Sequence, residues 1–123
     1  MNSKKYILII DDEKAMVERL TQNVERAGEY EVIAAYDGQQ GLELAQKLIP
    51  DMIITDLMLP KLDGYKICRM LKFSENYKHI PIIIYSGRDH DSDKKLAEEC
   101  GANAFIPKID GQDILIEKMR KIS

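Results

Sequence analysis

The chain has 123 residues, of which 45% are hydrophobic and 32% charged, with a net charge of -3. That length fits one compact core, the composition excludes a disordered chain, and the mild acidity excludes the basic footprint of a nucleic-acid binder. The two cysteines make neither a disulfide framework nor a metal site by spacing, and with no spanning apolar run and no visible signal peptide the expected setting is cytoplasmic, away from the membrane.

From the N-terminus, YILII at 6–10 is an unbroken apolar run, the pattern of a strand buried on both faces. It runs straight into Asp11, Asp12 and Glu13. Val17, Leu20, Val24 and Ala27 then recur every three or four residues, a helical period that Gly28 stops. VIAAY at 32–36 is a second strand, and Asp37-Gly38 opens a helix with Leu42, Ala45, Leu48 and Ile49 inward and Pro50 ending it. DMIIT at 51–55 is a third strand, followed by Asp56. Pro60 and Asp63-Gly64 then supply turn chemistry before a helix over 64–74 marked by Ile67, Cys68 and Leu71. IPIIIYS at 80–86 leads to Ser86-Gly87, and a polar helix runs from Asp91 to Cys100, ended by Gly101. NAFI at 103–106 is the fifth strand, with Lys108 just beyond it. Leu115, Met119 and Ile122 mark the last helix, over 111–121.

Strand and helix thus alternate five times. Right-handed crossovers between parallel strands predict an α/β, doubly wound sheet with helices on both faces. In such sheets ligands sit beyond the carboxyl ends of the strands. Those ends carry Asp11-Asp12-Glu13, Asp56, Ser86-Gly87 and Lys108.

Like charges gathered at a buried edge repel one another, so something must offset them. Helix capping would use one aspartate of the Asp11-Asp12 pair; it does not account for Asp56 at the same edge. A cluster of hard carboxylate oxygens is what Mg²⁺ takes, with water completing its octahedron. A carboxylate beside that ion can act as a nucleophile toward phosphorus. An ammonium such as Lys108 neutralises charge on transferring phosphoryl oxygens, and the Ser86 hydroxyl donates to the same oxygens. In DLMLPKLDG the loop is expected to curl so that the Met58 backbone carbonyl faces the metal.

Plain readings cover the remaining polar residues. His79 and His90 have no ligand-spaced partner and read as surface residues, Cys68 as core and Cys100 as a helix-end residue. RDHDSDKK at 88–95 reads as a solvated helix start.

IIDDE, DLMLPKLDG, YSG and FIPK, at these spacings, resemble the response-regulator receiver domains of two-component signalling over essentially the whole of residues 1–123. The resemblance implies a flavodoxin-like fold with five parallel strands in the order 2-1-3-4-5. It implies Asp56 as phosphoacceptor, and Mg²⁺ (Mn²⁺ able to substitute) on Asp12, Asp56 and the Met58 carbonyl, with Asp11 acting through water. Ser86 is then the switch hydroxyl, Lys108 the phosphate-pairing lysine, Phe105 the aromatic switch residue, and Gly87 the small residue that leaves access open. The implied donor is a sensor histidine kinase or a histidine phosphotransfer protein. The output is a downstream protein that reads the surface of helix 4, strand 5 and helix 5, with phosphorylation-dependent homodimerisation as a further expectation. The chain departs from the family in one place: Pro107 precedes Lys108, where the family usually has a proline after the lysine. Haloacid-dehalogenase-type phosphatases also use an aspartyl phosphate, but need an acid two residues after the nucleophile, where this chain has Met58. A nucleotide or flavin module would need a glycine- or hydroxyl-rich loop after strand 1. A receiver that is not phosphorylated would lack acidic or lysine positions that are all present here. The expected role is therefore a signalling phosphoacceptor rather than an enzyme.

Overall fold

The computed structural model describes residues 4–122. Along the chain come β1 (Lys5–Ile10), α1 (Lys14–Ala27), β2 (Tyr30–Ala35), α2 (Gly38–Leu48), β3 (Met52–Thr55), α3 (Gly64–Lys72), β4 (Ile82–Ser86), α4 (Asp91–Glu99), β5 (Ala104–Pro107) and α5 (Gln112–Ile122), with a short 3-10 turn at Lys108–Asp110 between β5 and α5. The five strands form one sheet in the order β2-β1-β3-β4-β5, and every pairing is parallel. This is the flavodoxin-like receiver architecture that the sequence predicts.

Strand periodicity builds two cores from one sheet. Leu8, Ile10, Ile53, Ile82 and Ile84 face α2, α3 and α4. Ile7, Ile9, Met52, Ile54, Ile83 and Tyr85 face α1 and α5. Residues adjacent in sequence therefore point to opposite sides, which is why both faces of β3 and β4 are apolar. Burying one such isoleucine contributes roughly 2 kcal/mol, so the central strands carry much of the fold's stability.

The register aligns the strand exits. Ile10 lies opposite Ala35 and Thr55, and Ser86 opposite Pro107. The residues that follow each strand consequently emerge on one edge. Two other aspartates cap helices: the Asp37 carboxylate accepts from the Gln40 N–H and the Asp63 carboxylate from the Lys66 N–H, both at 2.8 Å. α1 starts at Lys14 with Glu13 as its N-cap and no side-chain cap; the Asp11 carboxylate accepts from the Glu13 N–H at 3.0 Å, just ahead of the first turn.

Some residues depart from expectation. Leu48 and Ile49 are 46% and 48% exposed rather than inward. α2 ends at Leu48, and Ile49 takes a left-handed backbone with φ 45°, so the helical period no longer governs where the Ile49 side chain goes; Leu48 is in the last turn, at the exposed end of the helix. Tyr6, at the start of β1, is also exposed. Cys100 ends α4 and is fully buried, as is Cys68, and both thiols are free. His79 and His90 are exposed. The segment 88–95 is not wholly solvated: Asp93 is 2% exposed.

Candidate functional site

The two buried carboxylates are fixed by the sheet itself. The Asp11 N–H donates to the Ala35 carbonyl and the Asp56 N–H to the Ile10 carbonyl, each at 3.0 Å, so the ladders run one residue past the strands. Both side chains are buried, and the exposed Asp12 joins them. One carboxylate oxygen from each of Asp11, Asp12 and Asp56 lies within 4.8 Å of the others. The buried Thr55 hydroxyl donates to the Asp56 carbonyl at 2.9 Å and pins the backbone at the strand exit.

Lys108 closes the cluster. Its ammonium lies 2.8 Å from Asp11 Oδ2, 3.0 Å from Asp56 Oδ2 and 3.1 Å from Glu13 Oε1. Pro107 holds φ at -66° and the chain turns immediately into the 3-10 turn, and no peptide bond among the described residues is cis. With its proline before the lysine, the loop still delivers the ammonium to the acids. Burial pushes the Asp11 carboxyl above its usual value, against the hydrogen bond and charge of Lys108. Burial pulls Lys108 down, but the bond to Asp11 and the charges of Asp56 and Asp11 outweigh it, and the net displacement is upward.

One fixed cation thus serves three carboxylates, while Asp12 takes no part in its ion pairs. Hard oxygens in this number, two of them desolvated, fit a small divalent cation that brings its own water. The Met58 N–H is tied to the same cluster, donating to Asp56 Oδ1 at 3.4 Å, and its side chain is exposed. Gly64 packs against this turn so closely that a Cβ would stand 1.9 Å from the Asp56 carbonyl oxygen.

Ser86 is buried at the next strand exit, and its Oγ accepts from the Arg88 N–H at 3.1 Å. Gly87 is open, with nothing within 4 Å of a Cβ placed there. Phe105 is half-buried on the α2–α4 side, lining an open cleft of 290 Å³ with Lys94, Ala97 and Glu98 of α4. Tyr85 lies across the sheet from it, in the α1–α5 core. Sequence reasoning missed the Glu13–Lys108 pair and the Thr55 hydroxyl. The signals were a third acid directly after Asp12 and a lone hydroxyl in an apolar run.

A doubly wound sheet of this strand order, with acids and a lysine meeting at its carboxyl edge, defines a receiver of the flavodoxin-like, CheY-like class. The chain belongs to the response regulator receiver domain family, whose model matches residues 7–120, and it is accordingly a signalling domain of two-component response regulators. It is 42% identical over 108 residues to the alkaline phosphatase synthesis transcriptional regulatory protein PhoP of Bacillus subtilis (strain 168), covering 88% of this chain and 43% of that protein. It is 35% identical over 117 residues to the response regulator PleD of Caulobacter vibrioides, covering 95% of this chain and 26% of that protein. The chain therefore spans less than half the length of these relatives. Among solved structures, a putative response regulator from Chloroflexus aurantiacus J-10-fl superposes with a TM-score of 0.88 at 31% identity, covering 98% of both chains. A CheY-like response regulator receiver domain protein from Methanospirillum hungatei JF-1 gives 0.88 at 26% identity, covering 97% of this chain and 93% of that one. No helix among the described residues is long and apolar enough to cross a membrane.

Proposed function

We propose that this receiver is a phosphoacceptor switch in which Asp56 takes a phosphoryl group from a phosphohistidine on a sensor histidine kinase or histidine phosphotransfer protein in the cytoplasm. The observation that carries this reading is the setting of Asp56. Its carboxylate is held at the sheet edge by Lys108 at 3.0 Å, with an oxygen within 4.8 Å of those of Asp11 and Asp12.

An Asp56 oxygen attacks phosphorus in line while the phosphorus–nitrogen bond to the donor imidazole breaks, its electron pair leaving with the nitrogen. Lys108 follows the charge from the carboxylate onto the new phosphoryl oxygens. Asp12, Asp56 and the Met58 carbonyl would hold Mg²⁺ or Mn²⁺ directly and Asp11 through water; the bound ion neutralises charge on the phosphoryl oxygens. Ser86 gives up its contact with the Arg88 N–H and donates to a phosphoryl oxygen. Phe105 moves into the space that Ser86 vacates. The surface of α4, β5 and α5 changes, and a downstream protein or a second copy of the chain reads it. Water then cleaves the acyl phosphate at phosphorus and restores the Asp56 carboxylate. The domain assists only its own phosphorylation and dephosphorylation, so it is a switch and not an enzyme acting on a separate substrate.

The test is intact-protein mass after incubation with acetyl phosphate, with and without Mg²⁺, for the wild type and Asp56→Asn. A single phosphoryl adduct that needs both Mg²⁺ and Asp56 is expected. An adduct that survives Asp56→Asn, or none with any donor including a cognate kinase, would remove the reading.

A further inference from the structure

The β4–α4 turn is held by a set of contacts of which the site chemistry above uses only the one between Ser86 and the Arg88 N–H. Arg88 supplies both halves of it. Its backbone N–H donates to Ser86 Oγ at 3.1 Å, and its side-chain Nε lies 3.3 Å from Asp93 Oδ1. The other Asp93 oxygen accepts from the His90 N–H at 3.2 Å, and the His90 carbonyl accepts in return from the Asp93 N–H at 3.0 Å. The Asp93 side chain is 3% exposed, whereas that of Arg88 is 51% exposed. A carboxylate desolvated to that degree is costly unless its partners stay in place. The pair therefore braces the turn that carries the Arg88 N–H.

The consequence falls on Ser86. Its hydroxyl is buried and bonded to Arg88, pointing toward the turn. In the switch proposed above, Ser86 turns toward a phosphoryl group on Asp56 and gives up that N–H. The free energy of the unphosphorylated arrangement thus depends on how firmly Arg88 is anchored, and Asp93 is the anchor.

We infer that Asp93 is a positioning residue for the switch: through Arg88 it latches Ser86 in the unphosphorylated arrangement, and breaking the Arg88–Asp93 pair moves the resting population toward the phosphoryl-binding one. The inference rests on the proposed roles of Asp56 and Ser86. A ligand that binds only the second arrangement gains apparent affinity as that arrangement becomes more populated.

The experiment is titration with beryllofluoride, a phosphoryl mimic, in Mg²⁺, read by calorimetry and fluorine NMR. The proteins are the wild type, Asp93→Asn, Arg88→Ala, and each of these two combined with Ser86→Ala. Asn keeps the shape of the buried side chain and an acceptor for the His90 N–H; Arg88→Ala leaves the buried Asp93 carboxylate without its cation, so urea denaturation first establishes that each variant is folded at the titration temperature. Both single variants should bind beryllofluoride about three- to ten-fold tighter, with affinity for Mg²⁺ alone unchanged, and Ser86→Ala should erase the gain. Unchanged or weaker binding in both variants would overturn the latch. So would a gain confined to Asp93→Asn, which would mean that the freed guanidinium merely attracts the anion, and so would a gain that persists without Ser86. If the wild type itself does not bind beryllofluoride, the phosphoacceptor reading falls and the latch falls with it. Binding by the wild type with indifferent variants removes the latch alone.

Discussion

Lys108 stands closer to Asp11, at 2.8 Å, than to Asp56, at 3.0 Å. The residue expected to pair with a phosphoryl group on Asp56 is therefore shared, before phosphorylation, with the most buried acid of the site. It acts as a resident countercharge. Any cation that settles among the acids relieves it of that duty and frees it to follow the charge onto phosphorus.

The first prediction follows directly. Lys108→Met leaves Asp11 and Asp56 buried near each other without a cation, which is destabilising by about 3 kcal/mol. Urea denaturation should show that loss in the metal-free protein and a clearly smaller one in Mg²⁺, because a cation at the acids substitutes for the ammonium. An equal loss in both conditions would mean that the lysine and the metal do not share their countercharge role.

The second concerns pH. Burial raises the Asp11 carboxyl above its ordinary 3.8, against the pull of Lys108. The folded protein thus retains a proton there that the unfolded chain has lost. Stability from this group is present on the acid side and is lost as pH rises through the raised value. Lys108, also raised in the fold, contributes stability that is full at neutral pH and is lost only as pH rises through its raised value at the alkaline end. Asp11→Asn should therefore melt at a higher temperature than the wild type at pH 7 in chelator, and should lose the decline in stability just above pH 3.8. The wild type should also gain more from Mg²⁺ than the variant does. Thermal melts across pH, with and without Mg²⁺, check all three outcomes.

Much of this was legible in the sequence because parallel strands buried on both faces leave unbroken apolar runs, and a run that stops at Asp11, Asp56 or Ser86 marks its own exit. Parallel strands joined by helical crossovers place those exits on one edge with no further information. What the sequence hid was tertiary. Leu48 and Ile49 continue the apolar period of α2, yet both are exposed: the helix ends at Leu48 and Ile49 leaves it in a left-handed turn. Asp93 sits in a run of charges and looks solvated; only the packing of the β4–α4 turn buries it against Arg88. Glu13 reads only as a third acid at the end of strand 1, and its pairing with Lys108 joins residues from opposite ends of the chain.

The third prediction separates two kinds of glycine. A Cβ on Gly64 would stand 1.9 Å from the Asp56 carbonyl oxygen, and one on Gly38 would stand 1.5 Å from the Leu62 carbonyl oxygen. Neither neighbour is a flexible side-chain end, so backbone must move. Alanine at either site should cost about 2–3 kcal/mol, and Gly64→Ala should also weaken Mg²⁺ binding by displacing the turn that carries Asp56 and Met58. Gly87→Ala meets open space and should stay within about 0.5 kcal/mol of the wild type. Chemical denaturation together with Mg²⁺ titration distinguishes the three.

The fourth uses the far end of the sheet as a control. The Lys72 ammonium donates to the Lys78 carbonyl at 3.1 Å, the Ile80 carbonyl at 3.0 Å and Asn103 Oδ1 at 3.1 Å. The same Asn103 oxygen accepts from the Ile82 N–H at 2.9 Å. One ammonium therefore ties the end of α3 to the entry of β4 and the segment leading into β5. Burial lowers its pKa, yet three oxygen acceptors remain around it. Lys72→Met keeps the length of the stem and removes all three bonds, which should cost on the order of 2 kcal/mol. Nothing in this network touches Asp56, Lys108 or Ser86, because it lies where the strands enter the sheet and the acids lie where they leave. The variant should lose stability in urea and still accept a phosphoryl group from acetyl phosphate at the rate of the wild type. A slowed rate in the folded variant would show that the entry edge of the sheet is coupled to the acid cluster, which the separation of the two networks argues against.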